Sequence, residues 1–249
     1  MVNLTFTEIE AGIKDCSSLI MPLGGAEPYG KYSSMGIATL CASSIAENLS
    51  SRLNVMVAPV LPFGCSTAYR AFGGTAGLKP RTFTNLIIDV CRDWIAQGFS
   101  SILLIDSLND NSEALQDAIC RLDKIRGGAV RAFSIQNDQR VRKFVSQIVN
   151  GVEYGRSEFM IQAIANYLLQ NQKSCDCGTE KTLPDEKVFR QWKKRGKDPQ
   201  KYRKLFPDAV SSLFSESCDM NNGREIFSFI IDLLVKEYSS FLLSRKESP

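Results

Sequence analysis

The stretch Leu19-Ile-Met-Pro-Leu-Gly-Gly-Ala-Glu-Pro-Tyr-Gly-Lys-Tyr-Ser-Ser-Met-Gly-Ile-Ala-Thr39 decides how the rest of the chain is interpreted. A short apolar run, residues 19–23, ends at two glycines and is followed by a loop that contains Glu27. Helical spacing begins after Gly36. This order predicts a strand, a loop and a helix, and parallel sheets bind ligands beyond the carboxyl ends of their strands. Glu27 is the first candidate site residue, although an ordinary loop carboxylate fits the same pattern.

The segments that follow alternate between buried strands and amphipathic helices. Apolar spacing predicts helices over residues 37–53 and 81–98, the second one capped by Gly98. Near-continuous apolar runs predict strands over residues 55–63, 102–105 and 129–135, and the first of these is expected to end or bend at Pro59. Three more helices are expected over residues 138–149, 157–172 and 222–244. The alternation predicts an α/β fold, a three-layer αβα architecture with a mostly parallel central sheet. We expect residues 1–249 to form a single domain.

Polar side chains follow two further strands. The loop Gly64–Thr75 is rich in glycine and small polar residues, and it is a candidate pocket wall. Asp106 and Asn111 belong to a cluster of aspartates and asparagines after the central strand. Asp110 or Asn111 could equally cap the next helix, because side chains of these types bind free N–H groups at helix starts. Both interpretations stay open at this point.

Composition excludes several classes of function. The 249 residues contain no histidine, which excludes Ser-His-Asp and Cys-His catalysis. A net charge of +3 gives little reason to expect nucleic-acid binding. No apolar run approaches the roughly 20 residues of a membrane helix, and the start does not resemble a signal peptide. We therefore expect a cytoplasmic protein that does not contact membranes, with eight cysteines that are mostly buried, reduced thiols.

A polar, basic excursion at residues 173–217 interrupts the helical second half. Basic and aromatic residues occur together at residues 191–204, as they do in some RNA-binding segments. A solvated excursion at a subunit contact or over the pocket is favoured, because the rest of the chain has no basic footprint. Cys175 and Cys177 lie in this excursion without the further ligands that a zinc site needs.

Three motifs resemble the creatininase (creatinine amidohydrolase) family. Pro22-Leu-Gly-Gly-Ala-Glu-Pro-Tyr-Gly30 resembles the family's Pro-x-Gly-Ser-x-Glu-Gln-His-Gly signature. Phe63-Gly-Cys-Ser-Thr-Ala-Tyr-Arg-Ala-Phe-Gly-Gly-Thr75 is similar to its Tyr-Gly-x-Ser-x-Glu-His-x-x-Phe-Pro-Gly-Thr loop. Residues 98–111 resemble its Gly-Phe-x-x-Ile-x-x-x-Asn-Gly-His-Gly-Gly-Asn segment. The resemblance implies an α/β hydrolase that cleaves C–N bonds with two divalent ions, zinc or manganese, and often forms hexamers.

The same resemblance implies that most metal ligands are lost. Glu27 matches a liganding glutamate, and Glu158 matches another in a later segment that begins at Tyr154. The remaining ligand positions hold side chains that bind zinc or manganese poorly or cannot bind them. A histidine is replaced by Tyr29, an aspartate by Ala38, a second histidine by Leu108, and a Glu-His pair by Ala68 and Tyr69.

We therefore expect a protein that keeps the scaffold and pocket but works by binding, either as a small-molecule binder or as a non-catalytic subunit. The alternative is a hydrolase of C–N bonds with altered metal chemistry or metal-independent carboxylate and tyrosine chemistry, in which Glu27 or Glu158 is the catalytic group. No cofactor or metal ligand is expected, and the partners are a small molecule and, by family analogy, copies of the chain up to a hexamer. The expected pocket residues are Tyr29, Tyr69, Thr75, Asp106 and Asn111.

Overall fold

A computed structural model describes residues 1–31, 33–148, 156–170, 198–207, 209 and 220–243. The elements in chain order are α1 (Phe6–Asp15), β1 (Ser18–Leu23), α2 (Ile37–Leu53), β2 (Met56–Val57), α3 (Pro80–Gln97), β3 (Ser101–Asp106), α4 (Ser112–Asp123), β4 (Val130–Ser134), α5 (Gln139–Ile148), α6 (Arg156–Leu168), α7 (Pro199–Leu205) and α8 (Met220–Leu243). A single 3-10 turn, Asn109–Asn111, precedes α4.

Within these residues the strands form one parallel sheet in the order β2-β1-β3-β4. The central pair is in register from Ser18 opposite Ser101 to Leu23 opposite Asp106. Every residue of β1 and β3 is buried, which is the pattern of strands covered on both faces. Helices α2, α5, α6 and α8 pack on one face of the sheet, and α1, α3 and α4 pack on the other. The predicted three-layer αβα fold is confirmed.

Helix α2 spans the predicted residues 37–53, and α3 ends where Gly98 adopts a φ of 111°, a conformation that favours glycine. The strand predicted over residues 55–63 is shorter than expected. It consists of Met56 and Val57. Beyond them, Ala58 and Leu61 donate to Ile20 and Pro22, so one extra residue interrupts the ladder near Pro59, where an end or a bend is predicted. Only an isolated bridge joins Leu61 to Leu23 beyond it.

Five cysteines lie among the described residues, and all of them are reduced thiols. Cys41, Cys65 and Cys91 are buried, as predicted, whereas Cys120 is exposed. The excursion predicted at residues 173–217 lies mostly outside the described residues, and so do Cys175 and Cys177. Within those residues, no helix combines the length and the apolar composition that a membrane crossing would take.

Gly223 lies where α6 and α8 pack closely, so we expect a larger residue at this position to destabilise the fold. A Cβ at this position would overlap the carbonyl oxygen of Ala163 and lie 2.9 Å from Cβ of Tyr167. We expect Gly223→Ala to lower the free energy of unfolding by about 1–3 kcal/mol, because overpacking forces the helices apart. Urea denaturation measures the loss. Ser228→Ala, on the exposed side of the same helix, is the control and should change stability little; equal stability of the two variants would contradict the packing described here.

Candidate functional site

The carboxyl ends of β1 and β3 meet at the position where the sheet order reverses direction. From β1 the chain passes to β2 on one side and then to β3 on the other. The backbone links the strand ends directly, since Gly24 N–H donates to Leu61 O at 2.8 Å and Ser107 N–H donates to Leu23 O at 3.1 Å. Ligands of open α/β sheets bind at such switch points. Glu27 and Asp106 both lie at this edge of the sheet.

Glu27 and Tyr29 form a buried hydrogen-bonded pair. Their side chains are 3% and 1% exposed, and the Tyr29 hydroxyl donates to Glu27 Oε1 at 2.7 Å. Nε2 of Gln136 donates to the Tyr29 hydroxyl at 3.1 Å and to the backbone oxygen of Ser107. The Ser107 oxygen can only accept, so it fixes the orientation of the Gln136 amide. The Tyr29 hydroxyl therefore accepts from Gln136 and directs its own proton to Glu27.

A second glutamine holds the backbone of the same tyrosine. Nε2 of Gln162, on α6, donates to the carbonyl oxygen of Tyr29. Gln136 and Gln162 are both 3% exposed. Neither glutamine is marked by a sequence motif, and each reaches Tyr29 across more than 100 residues of chain. Sequence reasoning missed them, because only the fold brings them to the site.

Asp106 is fully buried at the end of β3. Its Oδ1 accepts from Nδ2 of Asn111 at 2.7 Å and from the backbone N–H of Leu108 at 3.2 Å, and its Oδ2 lies 3.5 Å from the Ser134 hydroxyl. Burial raises the pKa of Asp106 to about 7, although the hydrogen bonds from Asn111, Leu108 and Ser134 oppose the shift. Asp106 is thus poised to change charge near neutral pH.

The residues before α4 bind the loop at 64–75 instead of capping the helix. Asn111 Oδ1 accepts from the N–H of Cys65 at 2.8 Å. Asp110 Oδ2 accepts from the N–H groups of Thr67 and Ala68 at 2.9 and 3.2 Å. The capping interaction predicted for Asp110 or Asn111 is wrong, since no side chain caps α4. The same side chains satisfy loop N–H groups that would otherwise lack partners.

The described contacts of Tyr69 and Thr75 lie within or next to the loop at 64–75. The Tyr69 ring packs against Tyr202 at 5.2 Å between centroids. The Thr75 hydroxyl is buried and has no hydrogen-bond partner among the described residues, although its neighbour Ala76 is bridged to Ala26 beside Glu27. Glu158 lies on α6, but its side chain is outside the described residues. Roles for these residues in ligand contact stay predictions.

Hydrocarbon side chains occupy the junction between the strand ends. Leu108 and Ala38 are both fully buried in the apolar core. A Cβ on Gly25 would lie 2.5 Å from Cδ1 of Leu108, and a Cβ on Gly64 would also overlap this methyl group. The two glycines therefore allow the connections after β1 and β2 to close around the Leu108 side chain.

The family model described as creatinine amidohydrolase matches residues 2–233 of this sequence. The chain belongs to the creatininase family. A curated creatinine amidohydrolase of Pseudomonas putida is 25% identical over 141 residues, which are 53% of this chain and 54% of the relative. The chain thus matches about half the length of that curated relative.

Solved structures of creatininases share the fold over nearly the whole chain. The crystal structure of a creatinine amidohydrolase superposes with a TM-score of 0.77 at 19% identity and covers 98% of each chain. A manganese form of creatininase gives a TM-score of 0.75, also at 19% identity and 98% of each chain. A zinc–zinc form gives 0.74 at 19% identity, again over 98% of each chain. At these identities the likeness establishes the fold.

The described side chains at the strand ends do not fit a dinuclear metal centre. Each ion of such a centre needs about four donors, mostly imidazole or carboxylate groups. Ala38 and Leu108 have no donor atom, and they occupy two positions that the family resemblance gives to metal ligands. Tyr29 is a neutral phenol that already donates to Glu27. In the part of the chain that the structure describes, no three Cys, Asp or Glu side chains are grouped to hold an ion.

Asp106 predicts that the protein loses stability as the pH rises. Its pKa is about 7 in the folded protein, against 3.8 for an unperturbed aspartate side chain. The folded state therefore binds this proton more tightly than the unfolded state does. The resulting stabilisation is complete below a pH of 3.8 and is lost as the pH rises through about 7. The loss is on the order of 4 kcal/mol, since one pKa unit corresponds to about 1.4 kcal/mol.

The variant Asp106→Asn tests this dependence, because an amide does not titrate and its oxygen can accept the same two N–H bonds. Urea denaturation of both proteins is measured from about pH 4 to about pH 8. We expect the variant to gain stability relative to the wild type as the pH rises. A stability difference that is constant over this range would show that Asp106 does not titrate there.

Proposed function

We propose that this creatininase-family protein binds a small molecule at the strand-end site and does not hydrolyse it. The observation that carries the proposal is the burial of Leu108 between Gly25 and Gly64, where the resemblance places a histidine ligand. A hydrocarbon at this position cannot hold an ion that activates water. The chain also contains no histidine to replace the metal as a base near neutral pH.

The polar groups that remain support a binding role. Glu27 is held as a hydrogen-bond acceptor by Tyr29, whose orientation is fixed by Gln136. A buried carboxylate of this kind recognises N–H groups of a ligand through charge-assisted hydrogen bonds. One solved relative is a creatininase mutant complexed with creatine, and the curated relative is a creatinine amidohydrolase. Creatinine and creatine are therefore the first ligands to test.

A second candidate is hydrolysis of C–N bonds by a different route. The family is named for an amidohydrolase, and Tyr29 lies within hydrogen-bond distance of Glu27, as an acid and a base would. In this version Glu27 activates water and Tyr29 protonates the leaving nitrogen. Only the second candidate predicts that the ligand is hydrolysed, so binding and activity measurements on the same variants distinguish the two.

Isothermal titration calorimetry with creatinine and with creatine tests the binding role. We expect saturable binding of at least one compound to the wild type and a loss of about tenfold or more in affinity in Glu27→Gln, because a neutral amide weakens a charge-assisted bond. Glu47→Gln, on the exposed face of α2, is the matched control and should bind like the wild type.

Three results would count against binding of creatinine or creatine without hydrolysis. Failure of both compounds to bind the wild type would remove them as ligands. Conversion of creatinine to creatine that depends on added zinc or manganese and disappears in Glu27→Gln would establish a hydrolase. Metal-independent turnover that disappears in Tyr29→Phe would favour the second candidate.

We also propose that the protein acts in the cytoplasm, assembles with copies of itself and binds neither nucleic acid nor membranes. The support is its membership of the creatininase family and its small net charge of +3. Analogy with the family favours a hexamer. Sedimentation velocity measures the assembly state directly, and a concentration-independent monomer would contradict this proposal.

A further inference from the structure

A short helix of the basic excursion packs on the loop next to the site. Helix α7 begins at Pro199, and Asp198 caps it by accepting from the N–H groups of Gln200 and Lys201 at 3.0 and 3.3 Å. Seven residues are too few for a stable isolated helix, so packing must supply most of its stability. The cap and the proline prepare the segment for docking at little conformational cost.

Aromatic side chains form the contact between α7 and the loop. Tyr202 and Phe206 are 3% and 4% exposed, although the segment was expected to be solvated. The Tyr202 ring lies 5.2 Å from Tyr69 and 6.3 Å from Phe72, between centroids and in edge-on geometry. The hydroxyl oxygens of Tyr202 and Tyr69 are 3.5 Å apart. Each such ring pair contributes about 0.5–1.5 kcal/mol beyond the area that it buries.

Arg203 adds a polar attachment at the rim of this aromatic contact. Its guanidinium donates to the carbonyl oxygen of Ala71 and lies 5.4 Å from the centroid of Phe72. A cation above an aromatic face is worth about 0.5–1 kcal/mol at exposed sites. The Arg203 side chain is exposed, so it can be replaced without opening the core.

The loop at 64–75 is therefore held from two sides. On its inner side, Asp110 and Asn111 bind the N–H groups of Thr67, Ala68 and Cys65. On its outer side, α7 packs on residues 68–72. The end of the loop reaches the Glu27 segment through the bridge between Ala26 and Ala76. Movement of the loop away from the strand ends would break the hydrogen bonds that its N–H groups donate to Asp110 and Asn111.

We propose that residues 198–206 form a latch that holds the loop at 64–75 closed over the strand-end site, and that ligand exchange there requires the latch to release. The proposal rests on the proposed binding function for its biological purpose. The latch itself is a property of the unliganded protein. Release breaks the aromatic contacts of Tyr202 while both sides of the sheet stay packed, so it is a local opening and not global unfolding.

The cysteines of the chain provide a test that needs no ligand. Cys65 lies in the loop and is 1% exposed, Cys41 and Cys91 are fully buried on opposite faces of the sheet, and Cys120 is exposed. The native protein is alkylated by iodoacetamide, and mass spectrometry follows labelling at Cys41, Cys65, Cys91 and Cys120. Cys120 reports the intrinsic reactivity, and Cys41 and Cys91 report global unfolding. Cys65 packs in the same apolar cluster as Cys91, so faster labelling of Cys65 without Cys91 reports local opening of the loop.

We expect Tyr202→Ala to accelerate the labelling of Cys65 by about tenfold. Loss of the Tyr202 ring contacts removes about 1.4 kcal/mol that favours the closed loop, and this free energy corresponds to a factor of ten. The rates at Cys41 and Cys91 should stay unchanged. Arg203→Gln alters only an exposed side chain, so it should accelerate labelling less than Tyr202→Ala does, and only at Cys65. Lys204→Ala, on the exposed face of the same helix, is the control and should match the wild type.

Two outcomes would overturn the latch. An unchanged Cys65 rate in both Tyr202→Ala and Arg203→Gln would show that α7 does not restrain the loop. Equal acceleration of Cys65, Cys41 and Cys91 would show that α7 only stabilises the whole fold. Faster labelling of Cys65 alone, in a protein that binds neither creatinine nor creatine, would support the latch while the proposed function fails.

Discussion

The Leu108 side chain, packed between Gly25 and Gly64, is the contact on which this end of the molecule depends. The connections after β1 and β2 approach the start of α4 closely enough that a Cβ on either glycine would overlap Leu108. The isobutyl group fills this junction with hydrocarbon and excludes water from it. In a creatininase fold the same junction faces the strand-end crevice, so its chemistry decides what that crevice can do.

The polar residues around the junction are arranged to suit a site without bridging ions. Asp106, Asn111 and Asp110 satisfy one another or the loop backbone, and Gln136 and Gln162 fix Tyr29. Hydrogen bonds thus hold the loop and the Glu27 segment in place, a task that shared metal ligands can perform in a metalloenzyme. Glu27 is buried beside this network and accepts from the Tyr29 hydroxyl.

Local sequence signals predicted most of the fold. The 3.6-residue spacing and the glycine cap predicted α2 and α3, and the apolar runs predicted β1 and β3. Helix α1, in which no residue is buried, was missed. Its start was nevertheless marked in the sequence, since Thr5 and Glu8 form a capping box. The strand at residues 55–63 is regular only at Met56 and Val57, which agrees with the end or bend that Pro59 indicates.

The candidate site was only partly predictable, for a physical reason. Glu27 and Tyr29 are two residues apart and follow a strand, so a local pattern reveals them. Gln136 reaches the same pair through tertiary contacts that no local pattern records. The role of Asp110 stayed open in the sequence because a carboxylate before a helix has two possible sets of N–H partners, and only the fold shows that it binds the loop. The buried Tyr202 was likewise hidden within a strongly basic segment.

Metal content is the most direct test of the claim that the dinuclear centre is gone. The protein is purified without a histidine tag, because a tag would add the imidazoles that the chain lacks, and is incubated with zinc or manganese. It is then desalted and analysed by inductively coupled plasma mass spectrometry. We predict less than about a tenth of an ion per chain, since the described donors are too few for tight binding. Two tightly held ions per chain would contradict this claim.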